Sequence, residues 1–394
     1  MSDSARPYVL VVFGATGFTG RLVAEYLART VGVRVPWALA GRNRQKLAEV
    51  RAEIAKVNPE CASVDLLEAS VDDPASLARM TAATRVLITT VGPYAKYGLG
   101  VAEACVESAT DYVDITGEPD FVNEVIARCD AKAREKGVRV VNTCGFDSIP
   151  HDLGVLYTVH KLPHDRPITV EGFVRSRGTF SGGTWQSAIH AFAHMRESVK
   201  RERTQMKGTT EGSRRVRGMR PRLRYDRELH AWACPLPTID PQVVLRSARA
   251  LDEYGPDFRY GHHAEIHSTA VMAGGVVGVG ALVALSQVGV TRRWLESFKS
   301  SGEGPSELER ARAWFTVKFR GQAGDKSVLT QVRGGDPGYT ETAKMLAESA
   351  LCLAEERATL PARYGVLTPA VAMGDALIDR LQAAGIVFEV LEAT

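Results

Sequence analysis

Val9-Leu10-Val11-Val12-Phe13-Gly14-Ala15-Thr16-Gly17-Phe18-Thr19-Gly20 is the stretch whose reading decides the fold. Its first five residues are apolar and rich in β-branched side chains, the composition of a strand buried on both faces of a parallel sheet. Glycines 14, 17 and 20 follow at once, and from Arg21 to Val31 the apolar residues Leu22, Tyr26 and Leu27 recur at helical spacing. A strand that turns through three glycines into a helix frames a phosphate-binding turn. The first glycine permits the tight turn, the second lets backbone approach a pyrophosphate, and the third lets helix and strand pack closely. The pyrophosphate meets the unpaired N–H groups and the positive dipole end of the helix. Gly14, Thr16, Gly17, Phe18, Thr19 and Gly20 are therefore the expected phosphate-side contacts of a dinucleotide.

Moving outward, Pro36 to Ala40 reads as a second strand, and the alternation continues to the strand Val138 to Asn142, which makes six strand–helix repeats. Residues 1–146 are expected to form a Rossmann-type, doubly wound parallel sheet of the α/β class. After Gly145-Phe146-Asp147 the alternation stops, and Ile168 to Arg175 and Trp314 to Phe319 look antiparallel. A second α+β lobe on a mostly antiparallel sheet is expected over 147–360. Within it, 200–227 is basic and poor in apolar residues, which reads as a mobile surface excursion able to dock an acidic carrier protein or an anionic membrane. Thr269 to Val290 holds no charge; it reads first as buried core or an acyl-pocket wall, and second as a peripheral membrane contact. Residues 361–394, a helix from Thr368 to Gln382 and a strand from Ile386 to Val390, are expected to return toward the first domain.

The end of the second strand chooses the cofactor. NAD-specific domains carry an acidic residue there to bind the ribose 2′-hydroxyl, whereas an arginine accommodates a 2′-phosphate. This chain reads Ala40-Gly41-Arg42-Asn43-Arg44, with no carboxylate. Arg42, with Asn43 beside it, predicts NADP(H), and Arg44 or Lys46 adds charge nearby. Residues after strands four, five and six should line the nicotinamide end. Val91, Gly92, Pro93 and Gly117 are the expected cofactor neighbours; Tyr94 is the first candidate proton donor and Asp147 the second. A packing role for Tyr94 and a helix cap for Asp147 are the structural alternatives.

Val91 to Tyr94, Asp114-Ile115-Thr116-Gly117-Glu118, Cys144-Gly145-Phe146-Asp147-Ser148-Ile149-Pro150 with Asp152-Leu153-Gly154, Gly335-Asp336-Pro337-Gly338-Tyr339 and Leu367-Thr368-Pro369-Ala370 together resemble the saccharopine dehydrogenase-like oxidoreductases. Gly304-Pro305-Ser306, Thr342 and Met373-Gly374-Asp375 are most similar to the bacterial trans-acting enoyl reductases of that group. The resemblance implies a hydride transfer from NADPH to an unsaturated acyl intermediate of lipid or polyketide assembly, with a lipid-like or carrier-bound acyl substrate. Imine or amino-acid chemistry of the saccharopine type, and a nucleotide- and lipid-binding protein without turnover, are the alternative readings.

Other features exclude or decline roles. A net charge of +3 over 394 residues gives no basis for a nucleic-acid partner. Six scattered cysteines without a Cys-x-x-Cys pair fit a reducing, cytoplasmic compartment, with peripheral membrane association open, and the short run Tyr8 to Phe13 does not read as a signal peptide. His190 with His194 and His263 with His267 stand four apart but lack a zinc motif, so no metal is expected. Tyr157-x-x-x-Lys161 has the spacing of a short-chain dehydrogenase pair, without the serine such a site needs. Cys144 reads as a small buried hydrophobe. The oligomeric state is left open.

Overall fold

The structure, a computed structural model, describes residues 6–178, 214–286, 291 and 304–394. It divides into two units, the first holding residues 1–149 and 336–385, the second 150–335 and 386–394.

The chain begins in the first unit with β1 (Tyr8–Phe13), α1 (Phe18–Thr30), β2 (Trp37–Gly41), α2 (Arg44–Val57), β3 (Asp65–Glu68), α3 (Pro74–Ala82), β4 (Thr84–Thr89), α4 (Tyr94–Glu107), β5 (Asp111–Asp114), α5 (Pro119–Lys136) and β6 (Arg139–Val141). It passes through α6 (Ile149–Val159) into the second unit, which carries β7 (Ile168–Arg177), β8 (Arg215–Gly218), β9 (Arg224–Asp226), β10 (Ala231–Pro235), α7 (Asp240–Ala250), β11 (Asp257–Ile266), α8 (Thr269–Ser286), α9 (Glu307–Ala311), β12 (Trp314–Ala323) and β13 (Lys326–Gly334). It returns to the first unit with α10 (Thr340–Glu355), β14 (Gly365–Leu367), α11 (Pro369–Ala372) and α12 (Gly374–Ala383), and ends in the second unit with β15 (Val387–Ala393).

The first unit is a parallel sheet of seven strands in the order β14-β6-β5-β4-β1-β2-β3. The reversal of order at β1 and β4 is the topological switch point beyond which doubly wound sheets bind ligands. Val11, Ala38, Leu87 and Tyr112 on the strands pack with Leu77, Val101, Phe121 and Val125 of α3, α4 and α5 in one continuous core. The opposite face carries α1, α2 and α10, and α10 lies against α1, β1, β4 and β5. Thirteen of the sixteen residues of α10 are buried, Glu341, Thr342, Glu348 and Ser349 among them, so its polar side chains need partners within the unit. Its buried Glu348 is not wasted: Tyr26 donates to one carboxylate oxygen at 2.7 Å and Arg380 to the other at 2.8 Å. Leu346, fully buried there, is a position where truncation to alanine costs about 2–5 kcal/mol.

The second unit is an eight-stranded sheet in the order β15-β13-β12-β7-β11-β10-β9, with β8 paired to β11. Among its described residues, only β11 with β7 and β11 with β8 are parallel. The α/β class and the mostly antiparallel second sheet are as the strand patterns indicate.

Several expected boundaries change. The second domain does not run from 147 to 360, because α10, with its buried face, completes the first sheet from residue 336 onward. The terminal segment 361–394 is divided: the helical part belongs to the first unit, while β15 pairs antiparallel with β13 in the second sheet. The helix expected over Thr368 to Gln382 is two helices that meet at Met373, where glycine 374 adopts a positive φ. The basic stretch 200–227 is described only from Arg214 onward, and there it is no excursion. Arg214 donates to the carbonyls of Gly255, Ala248 and Leu251, Arg217 pairs with Asp257, and Arg224 pairs with Glu171, so β8 and β9 are bound into the sheet. Residues 200–213, the His190–His194 pair and 287–290 lie outside the described residues.

Candidate functional site

Gly14 has φ +89°, and a Cβ on it would lie 2.8 Å from Thr90 Oγ1 and 2.9 Å from Val91 Cγ2. A side chain is excluded there twice, by backbone conformation and by space. The N–H of Gly17 returns to the carbonyl of Gly14 at 2.9 Å, closing the turn. On Gly20 a Cβ would lie 2.3 Å from that same carbonyl oxygen, so the first turn of α1 sits directly on the glycine loop. The loop is a cradle of bare backbone, the surface a pyrophosphate requires.

The electrostatics select the same helix. Gly17 caps α1 without a side-chain bond, and the first turn of α1 holds no acidic residue. By contrast, Asn43 Oδ1 accepts from Lys46 N–H at the start of α2, and Asp73 accepts from Ala75 and Ser76 at the start of α3. At the start of α4 the Glu118 carboxylate accepts from the N–H groups of Tyr94, at 3.1 Å, and Ala95, at 2.8 Å. Three of the first four helices have their positive ends met by the protein's own side chains; α1 does not, and it can hold an anionic ligand. Thr16, Phe18 and Thr19 lie in this turn, half-buried.

Arg42 stands at the carboxyl end of β2, directly beyond Gly41, with its side chain exposed. Among the described residues it has no hydrogen-bond or ion-pair partner. Arg44 is turned to Glu68 at 3.8 Å and to the carbonyl of Leu66, and Asn43 is occupied as a cap. Of the side chains expected at this corner, Arg42 is the guanidinium left to hold a ribose phosphate, with exposed Lys46 nearby.

At the other end of the switch point, Val91 is half-buried and Gly92 and Pro93 are exposed, joined by a cis peptide bond. Tyr94 is corrected. Its ring is buried against Phe121, its hydroxyl donates to the Thr89 carbonyl at 3.1 Å and accepts from Ile115 N–H at 3.4 Å. Burial, with Asp114 close by, pushes its phenol well above the ordinary tyrosine range. It locks the ends of β4 and β5 together and has no free proton-donating direction. Asp147 remains at the surface of this end: it lies half-buried in the turn before α6, and one carboxylate oxygen is 3.5 Å from where a Cβ on Gly117 would be.

Two motifs that the sequence singled out without a role acquire one. Asp114 is buried at the end of β5 and accepts from Thr116 N–H, Thr143 N–H, the Asn142 amide and the Tyr112 hydroxyl, at 2.7–3.0 Å. Burial pushes its carboxyl up to about 6 against those four donors, which favour the charge. It ties β5 to β6 and sets the positions of Gly117 and Gly145. In Gly335-Asp336-Pro337-Gly338-Tyr339, Asp336 accepts from Gly338 and Thr340 N–H, starting α10. Tyr339 then packs edge-on to Phe18 of the glycine turn at 4.8 Å, while Thr342 accepts from Phe146 N–H and donates to the Pro337 carbonyl. This contact with the cofactor turn was not visible in the sequence, because 321 residues separate its partners.

Three tempting constellations dissolve. Lys161 lies over the face of the Tyr157 ring, 4.7 Å from its centre, beyond the end of α6, and Tyr157 packs on Phe388. His263 is stacked on Phe173 while His267 pairs with Glu265, and both sit on or just past a strand, where four residues span about 13 Å. Cys144 is buried and donates to the Val141 carbonyl.

Comparison with known proteins agrees with this geometry. A family model described as the saccharopine dehydrogenase NADP binding domain matches residues 10–141. A Mycobacterium tuberculosis protein named as a trans-acting enoyl reductase is 36% identical, with 98% of each chain covered. The human saccharopine dehydrogenase-like oxidoreductase is 33% identical over the whole of both chains. Among solved structures, the L-Glu-forming saccharopine dehydrogenase of Saccharomyces cerevisiae superposes with a TM-score of 0.56 over 98% of this chain and 100% of that one, at 13% identity, a likeness of fold alone.

Proposed function

The chain belongs to the saccharopine dehydrogenase-like oxidoreductases, with an NADP(H)-binding domain in its first unit, and from that premise we propose that it reduces an α,β-unsaturated acyl thioester of lipid or polyketide assembly with NADPH. The glycine loop and the open end of α1 hold the pyrophosphate, and Arg42 pairs with the 2′-phosphate. NADPH, when bound, supplies the hydride. Val91, Gly92, Pro93 and Gly117 shape the nicotinamide end, and Asp147 is the polar side chain that serves the reacting carbons there, by delivering a proton to the α-carbon or holding the thioester carbonyl. Asp147→Asn is expected to lower turnover at least tenfold while leaving NADPH affinity within about twofold.

The observation that carries the lipid-like substrate is α8. Thr269–Ser286 is long and apolar enough to cross a membrane, yet only 13% of it is buried, and Val271 is 63% exposed. This counts against the buried-core reading of the segment. A helix without charge on any face that is not covered by its own protein fits a bilayer surface or acyl chains. Trp232, whose indole donates to Thr269 at 3.1 Å, and Tyr225, edge-on to Trp232, stand at its start as amphipathic side chains suited to the membrane–water boundary. We place the protein in the cytoplasm, in contact with a lipid surface, receiving its substrate from that surface or from an acyl carrier. The test is single-turnover oxidation of NADPH with long-chain enoyl thioesters, free and carrier-bound, with and without liposomes. Oxidation dependent on the enoyl group supports the reading; no oxidation with any of them refutes it. Val271→Glu should abolish flotation with liposomes while leaving reduction of a water-soluble short-chain enoyl thioester unchanged.

A further inference from the structure

His151, Asp240 and His262 converge from three separate elements of the second unit: the first turn of α6, the first residue of α7 and the middle of β11. All are buried, His151 and Asp240 to 1% exposure and His262 to 7%. His151 Nδ1 is 2.9 Å from Asp240 Oδ1, His262 Nε2 is 3.5 Å from Asp240 Oδ2, and one donor atom from each residue falls within 4.8 Å of the other two. Ligand atoms held about 2.0–2.1 Å from a tetrahedral ion lie roughly 3.3 Å apart. The cluster needs only small side-chain adjustments to meet that geometry.

Two further observations point to a ligand. His262 Nε2 is buried without a hydrogen-bond partner, 3.5 Å from Asp240 Oδ2. The Asp240 carboxylate is itself held by His151, at 2.9 Å, and by Thr238. On its far side the His262 ring meets Tyr260: the phenol oxygen is 3.0 Å from Nδ1. With the proton on Nδ1, donated to Tyr260, the ring is oriented and its Nε2 lone pair faces the cluster, the outer-shell arrangement of metal-bound histidines. The alternative that balances the buried carboxylate without an ion is an imidazolium on His151.

We infer that His151, Asp240 and His262 bind a divalent transition-metal ion of the zinc class, joining α6, α7 and β11. Two imidazoles and one carboxylate are a donor set for zinc. The burial of all three makes it a site that stabilises the second unit, separate from the glycine turn of the first unit.

The full-length protein, with any affinity tag removed, is dialysed against Zn²⁺ and then metal-free buffer, and its zinc content is measured. The expected result is one ion per chain in the wild type and at least tenfold less affinity in His262→Gln and Asp240→Asn. Co²⁺ in place of zinc should give the absorption of a low-coordinate nitrogen and oxygen site without a thiolate charge-transfer band. A strong chelator should lower the wild-type thermal midpoint by several degrees and leave those of the variants where they are. NADPH binding and far-UV circular dichroism check that the variants fold; if they do not, the wild-type stoichiometry and Co²⁺ spectrum decide. A wild type that retains no ion, a thiolate band, or a midpoint indifferent to the chelator overturns the inference and leaves the imidazolium–aspartate pair.

Discussion

Two helices of the first unit begin at the carboxyl edge of the same parallel sheet, on adjacent strands, and their ends are treated in opposite ways. After β1, the chain turns through Gly14, Gly17 and Gly20 and starts α1 without a side-chain cap. After β4, it turns through Gly92 and Pro93 and starts α4 with the Glu118 carboxylate on the first two. Both ends carry the same partial positive charge. The difference teaches that the fold supplies more than one anion site and that the sequence covers the one at α4 while leaving that of α1 uncapped. It also separates two kinds of motif: the glycines leave room for a ligand, whereas Glu118, Tyr94 and Asp114 build the edge on which that ligand rests.

The largest effect should come from filling the open end. Gly20→Ala places a methyl group 2.3 Å from the Gly14 carbonyl, so the turn must move, and NADPH affinity measured by fluorescence titration should fall at least about 100-fold, or roughly 3 kcal/mol. A variant that binds normally would show that the turn is not the cofactor cradle. Opening the closed end should do something different in kind. Glu118→Ala removes a charged cap, which should cost about 1–2 kcal/mol of stability, seen as a fall of roughly 2–8 °C in the thermal midpoint, while NADPH affinity stays within about twofold. If NADPH affinity rose in that variant, α4 would compete with α1 for the cofactor and the contrast would fail. The smallest effect is expected of Tyr94→Phe. Loss of its two hydrogen bonds should cost about 1 kcal/mol in urea unfolding, with enoyl-dependent turnover unchanged. A drop in turnover of tenfold or more would restore the tyrosine as the proton donor.

Legibility followed distance along the chain. The six first strands and the glycine turn were readable because their signals are local: apolar runs, turn residues and helical spacing lie within a few residues of one another. The seventh strand, β14, is three residues long, and the apolar stripe of α10 shows that it packs on a sheet without showing which one, so neither announces that it belongs to the first sheet. The position of Arg42 at the end of β2, with its side chain exposed, was legible from its place in the motif. The commitment of Tyr94 to Thr89 and Ile115 was not, since a tyrosine at a strand end has the same local sequence whether its hydroxyl points into the core or toward a ligand. The His151–Asp240–His262 cluster was the least legible of all. Its members are 89 and 22 residues apart, and the four-residue histidine spacings that a sequence search favours turned out to belong to a stacked ring, an ion pair and undescribed residues.

The most direct test of the central claim, that the open end of α1 and Arg42 together form the NADP(H) site, is a fluorescence titration of the wild type and Arg42→Ala with NADPH and NADH. The account predicts that the wild type prefers NADPH by about 10-fold to 100-fold, the worth of a charge-assisted pair with the 2′-phosphate, and that Arg42→Ala loses this preference by weakening NADPH alone. Equal or tighter binding of NADH by the wild type, or an unchanged preference in the variant, would contradict it.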